Sequence, residues 1–142
     1  TKEIAVDPED LALASLFHDL GLSPEFAHPG RPFTYASARA MRVFLEERGV
    51  LPARVDPLVD AIALHMQLWP RWSAGPVAGL LQVGAWMDVT MLRRWSVAGD
   101  AAAIAKLHPR HGFDWEFAKA LAGQAWPPTK LFRLVFPGDQ RG

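Results

Sequence analysis

Apolar residues in this chain recur every three or four positions, in blocks closed by proline or glycine, and nowhere keep up a strict alternation with polar ones. That spacing lines one face of a helix, whereas a half-buried strand needs a period of two. The expectation is an all-α protein. Asp7-Pro8-Glu9-Asp10 reads as a helix start, with Asp7 as N-cap, Pro8 at the first helical position and Gly21 as the stop. A second helix is expected after Thr34, running through Ala38, Met41, Phe44 and Leu45 to Gly49, with Arg39, Arg42, Glu46 and Glu47 facing outward. Between them Ser23 to Phe33 carries prolines at 24, 29 and 32 and reads as loop. Asp56-Pro57 opens a third helix to about Trp69, ended by Pro70. A long fourth helix is expected from Gly75-Pro76 to Trp95. Asp100 caps a fifth through Leu107, a turn spans His108 to Gly112, Asp114 caps a sixth to about Ala122, and Thr129 to Phe136 forms a last short helix closed by Pro137.

Half of the 142 residues are hydrophobic, enough for one real core and a single domain. Fifteen basic and fifteen acidic side chains cancel, which argues against nucleic acid or an anionic membrane and leaves a small molecule as the expected partner. With no cysteine, thiolate chemistry and Cys-type zinc sites are excluded, so His, Asp and Glu are the available metal ligands. The start of the chain has no basic-then-apolar pattern of a signal peptide, and the apolar region Pro76 to Leu92 is broken by Gln82 and Asp88, so a cytoplasmic protein without a membrane span is expected. Gly75, Gly79 and Gly84 follow no strand and make no phosphate loop. The six tryptophans read mainly as core; Trp69, Trp72 and Trp86 lie near enough to the polar residues to line a pocket, and a Trp-rich surface permits a homodimer.

Three polar groups fall where helical periodicity buries them. Leu58, Ile62, His65 and Trp69 follow steps of four, three and four, which turns His65 inward. Val77, Leu81, Gly84, Asp88, Met91 and Trp95 follow the same steps and put Asp88 on a buried face. In "LFHDLGL", His18 and Asp19 sit near the end of an apolar run, about 100° apart around their helix. A buried ionised carboxylate costs several kcal/mol unless a cation or a set of donors compensates it. A metal ion compensates all of these groups together: His18, Asp19 and Asp88 with one more imidazole give a mixed nitrogen and oxygen shell suited to one divalent first-row ion such as iron, zinc or manganese. Taken singly, each residue has a structural explanation: a satisfied histidine for His18 or His65, and an ion pair with Arg93, Arg94 or a neighbouring helix end for Asp88. His108 and His111 form an H-x-x-H that Pro109 and Gly112 keep out of helical geometry, and His28 lies in the proline-rich loop, from which it reaches over the site.

The segments "LFHDLGL", "FTYASARAMRVFL", "AIALH" at Ala61 to His65, "GLLQVGAWMDV" at Gly79 to Val89 and "HPRHGF" at His108 to Phe113 together resemble the HD-domain superfamily of metal-dependent hydrolases, in an order similar to its cyanamide hydratase-like branch. The resemblance implies an all-helical HD-type bundle holding a metal between helices, with His18 and Asp19 as the His-Asp pair, Asp88 as the distant aspartate and His65 as the extra active-site histidine. In that family a further histidine lies on an upstream helix, and no histidine precedes His18, so the expectation is a single domain over residues 1–142 lacking the family's N-terminal helix. Thr34 stands where the hydratase-like pattern has a glutamate.

A metal at this site lowers the pKa of bound water from ~15.7 to about 7 and polarises an electrophile. The expected activity is therefore addition of metal-activated water to a small nitrile- or cyanamide-like substrate, with His65 and His28 orienting substrate or moving a proton. A phosphate ester is the alternative substrate and requires cationic groups in the pocket, for which Arg31 is the candidate. The rival from another class is a non-catalytic helical binding module with a degenerate metal site.

Overall fold

Asp7 stands outside the first helix with extended backbone, and its carboxylate accepts a hydrogen bond from the Glu9 N–H at 2.8 Å. With Pro8 pre-set for the first turn, this starts α1 (Pro8–Phe17) where the sequence indicates. The computed structural model describes residues 4–90 and 97–125. Among them follow a 3-10 turn (Leu20–Leu22), α2 (Phe33–Glu46), α3 (Pro52–Leu64), a second 3-10 turn (Trp72–Ala74), α4 (Pro76–Thr90), α5 (Ala98–Leu107) and α6 (Phe113–Ala125), with no strand. The all-α expectation holds. No described helix is long and apolar enough to cross a membrane. The expected helix over Thr129 to Phe136, and the positions Met91, Arg93, Arg94 and Trp95, lie outside the described residues.

α2 and α3 form the main packed pair, with α4 and α1 laid against them. Their shared core is Ala14 from α1, Met41 and Leu45 from α2, Val55, Leu58, Ala61 and Ile62 from α3, and Ala78 and Leu81 from α4. Burying side chains such as Leu58 and Ile62 stabilises the fold by about 1.5–3 kcal/mol each. Gly49, at φ 72°, ends α2: Val50 N–H bonds the Leu45 carbonyl and Gly49 N–H the Glu46 carbonyl, which satisfies two last-turn acceptors.

The third helix departs from expectation at both ends. It starts at Pro52, with Leu51 extended before it, so Asp56 is an exposed mid-helix residue that accepts from Arg42 and not an N-cap. Pro57 lies inside α3, where it removes one backbone hydrogen bond on the solvent side. The helix also stops at Leu64, which breaks the predicted stripe: Leu58, Ile62 and His65 are buried, but Trp69 is exposed.

Among the residues whose burial is described, α5 and α6 contain no buried one. They lie at the periphery and are joined through a turn in which His111 and Gly112 both take positive φ. α6 reaches the rest of the molecule through Leu121, which packs on the buried pair Phe33 and Met66, through Phe113 and Phe117, which wall a cavity against α1 and α4, and through Arg110, just before it, which ion-pairs with Asp88 of α4.

Candidate metal centre

α1 ends one residue before the His-Asp pair. His18 is its C-cap, with its N–H on the Ala14 carbonyl, and Asp19 follows in a non-helical conformation (φ −106°, ψ 5°) that leads into the 3-10 turn. The two side chains are therefore not splayed around a helix as the sequence suggests. They face each other, His18 Nε2 to Asp19 Oδ2 at 3.1 Å. The turn holding them is pinned to α2 at Gly21, whose N–H donates to Ser37 Oγ at 2.8 Å in the interior. Only glycine fits there, because a Cβ would stand 2.2 Å from the Phe33 carbonyl oxygen.

His65 is the first residue beyond α3 and is fully buried. Its Nδ1–H donates to the Ile62 carbonyl at 2.6 Å, and the Nδ1–H of His18 donates to the Ser15 carbonyl at 2.7 Å. Carbonyl oxygens only accept, so both rings carry a proton on Nδ1 and turn Nε2 toward Asp19. Asp19 Oδ1 lies 3.6 Å from His65 Nε2, and the two rings meet edge to face with centroids 5.0 Å apart. Phe33 covers the other side of His65.

Two neutral imidazoles would each aim a lone pair at a carboxylate, which is repulsive. Protonation of the rings relieves this, and so does a cation between them. Burial pushes the His18 imidazole down, but the hydrogen bond and charge of Asp19, the Ser15 carbonyl and the charge of Asp88 outweigh burial and leave it raised. Burial likewise pushes the Asp19 carboxyl up, yet His18 and His65 together hold it well below the usual carboxylate range. His65 Nε2 itself has no hydrogen-bond partner although it is buried. Such an orphan costs about 1–3 kcal/mol.

One atom each from His18, Asp19 and His65 lies within 4.8 Å of the others, close enough to hold a single ion. Imidazoles whose remaining N–H is fixed by a main-chain carbonyl are the usual form of metal-binding histidine. The group opens on a cavity of about 360 Å³ between α1, α4 and α6, walled mainly by Leu11, Leu81, Ala85, Val89, Phe113 and Phe117.

The other expected site residues are placed differently. Asp88 lines this cavity but at its rim, with 48% of its side chain exposed, paired with Arg110 and outside the three-residue group. The register of α4 is as expected; what differs is the neighbour. Leu81 is buried where the core borders the cavity, whereas one and two turns later the same face, at Gly84 and Asp88, is exposed along the cavity's open side. His28 does not approach the site: it is exposed in the loop, bonded to its neighbour's carbonyl and packed on Tyr35. Arg31 lies over the same Tyr35 ring and does not line the cavity. Trp69, Trp72 and Trp86 do not line it, and His108 and His111 are exposed and take no part.

Gln82, which the sequence did not single out for the site, and Trp86, expected to line it, instead support it from behind. Buried Gln82 donates to the Gln67 carbonyl at 2.8 Å and Trp86 Nε1 to the same oxygen at 3.0 Å, which fixes the chain just after His65. The signal was a glutamine interrupting an apolar helix. Arg110 gave no such signal, since it belongs to an irregular turn. No protein family, curated protein or solved structure matches this chain.

Proposed function

We propose that this chain is a metal-dependent hydrolase or hydratase of the HD-domain type, acting on a small uncharged electrophile such as a nitrile or cyanamide. The observation that carries the proposal is the buried, unpartnered Nε2 of His65, aimed with His18 Nε2 at a single carboxylate. His18, Asp19 and His65 would hold one divalent iron, zinc or manganese ion. When bound, such an ion supplies a water that ionises near neutral pH and a Lewis acid for the electrophile.

The chain's own groups do the rest. The Ser15 and Ile62 carbonyls fix both imidazoles in the ligating tautomer, so His65 acts as a ligand more readily than as a proton carrier. Asp19 contributes the negative charge. The mainly apolar walls favour an uncharged substrate, since the cation beside the cavity, Arg110, is already paired with Asp88 and Asp114. A phosphate ester would meet no free cationic group among the described cavity residues.

Metal analysis of the purified protein tests the proposal. About one equivalent of transition metal is expected, lost in His18→Ala and His65→Ala, together with hydration of nitrile-type substrates in preference to phosphate esters. A folded protein that takes up no metal would overturn it and leave a helical binding module.

A further inference from the structure

Asp88 and the His18–Asp19–His65 group share one cavity, yet the Asp88 carboxylate is held by Arg110. Three features make that hold exchangeable. Arg110 also donates to Asp114, four residues along at the start of α6, and its guanidinium lies 4.8 Å from the Phe113 ring centre, so it keeps partners if Asp88 leaves. Asp88 is half exposed and is not locked in place by packing. One turn before it on α4, Gly84 carries no side chain and the position its Cβ would take is open, which leaves room beside the carboxylate. The charge of Asp88 already acts on His18, which places it within electrostatic reach of the group.

We propose that Arg110 competes with a bound cation for Asp88: without metal the carboxylate pairs with Arg110, and on metal binding it transfers to the ion as a further ligand. The inference rests on the metal-centre reading above. It makes Arg110 a positioning residue that sets metal affinity without touching the metal, and it couples the seating of α6 to occupancy, because Arg110 ties the start of α6 to α4.

The test is a double-mutant cycle on the full chain, titrating Mn²⁺ into metal-free protein by calorimetry. Arg110→Gln is expected to tighten Mn²⁺ binding about tenfold, the scale on which groups behind a metal's ligands act. Asp88→Asn is expected to weaken it, and Arg110→Gln on top of Asp88→Asn should change nothing. Arg110→Lys, which keeps the charge but loses the forked reach to both carboxylates, should tighten binding by a smaller factor and serves if the glutamine variant does not fold. Amide exchange in α6 should speed up when wild-type protein is loaded with Mn²⁺. Equal tightening with and without Asp88 would mean that only removal of a positive charge matters, which overturns the competition. So would unchanged or weaker binding in the Asp88 background. Failure of folded wild-type protein to bind Mn²⁺ or any other divalent transition metal would instead overturn the metal-centre reading itself, and the competition with it.

Discussion

Replacing Gly21 by alanine should damage this protein more than any other single-methyl addition at a described glycine. The new Cβ would lie 2.2 Å from the Phe33 carbonyl oxygen and 2.8 Å from Ala36 Cβ. An ordinary carbon to oxygen contact is about 3.3 Å or longer, so the backbones must separate by about 1 Å. Phe33 is the first residue of α2 and is buried, so its carbonyl is part of a packed helix and the 3-10 turn must give way. Moving the turn strains it by about 1–3 kcal/mol and breaks the buried Gly21 to Ser37 hydrogen bond, at about 1–3 kcal/mol more. The expected loss is about 2–6 kcal/mol, a large share of a typical 5–15 kcal/mol stability, with Tm lower by on the order of 10 °C. Urea unfolding of Gly21→Ala beside Ser37→Ala separates the two contributions, since the serine variant loses only the hydrogen bond. Asp19 lies two residues before Gly21, so metal affinity should fall with stability. A Gly21→Ala protein within about 0.5 kcal/mol of wild type would refute the close approach and the positioning role given to this turn.

His65→Leu should abolish metal uptake while lowering metal-free stability by less than about 3 kcal/mol, because removal of an orphaned buried acceptor offsets part of the loss of the Ile62 hydrogen bond and of the support for the Asp19 carboxylate; a larger loss in urea unfolding would show that Nε2 is satisfied after all. Because the folded-state pKa of His18 is raised above its ordinary 6.5, its contribution to metal-free stability is complete below pH 6.5 and lost as pH rises through the folded value. That of Asp19, whose folded pKa is depressed, is present above pH 3.8 and lost on acidification. Urea midpoints at pH 6 and 8 should therefore fall with pH for metal-free protein, and Asp19→Asn should flatten the trend. Metal affinity should run the other way, rising from pH 6 to 8 as the proton leaves the His18 imidazole, and calorimetry at both pH values checks the sign. Gly79→Ala should cost less than Gly21→Ala although its Cβ would meet the Trp72 ring at 2.1 Å, because that ring is half exposed and can swing outward; red-shifted tryptophan emission would record the movement.

Local chemistry written in the sequence decided the helical class, the Asp7 and Pro8 start, the inward turn of His65 and the adjacency of His18 and Asp19. Each follows from backbone geometry within a few residues, which is why period and capping residues suffice to read it. Other features depend on what a face meets. The register of α4 was legible, but not that its second half faces a cavity, so Asp88 stands at a rim beside Arg110 and not in a core. The same limit hid the early end of α3, which turns His65 from a helix-face residue into a cap beside Asp19 and leaves Trp69 exposed. His28 and Arg31 show the converse, since a loop residue's direction is set by the helix it leans on, here through Tyr35. Which residues share one ion-sized space was settled by the tertiary packing of α1 on α3, because only the meeting of two helix ends brings Asp19 between two imidazoles.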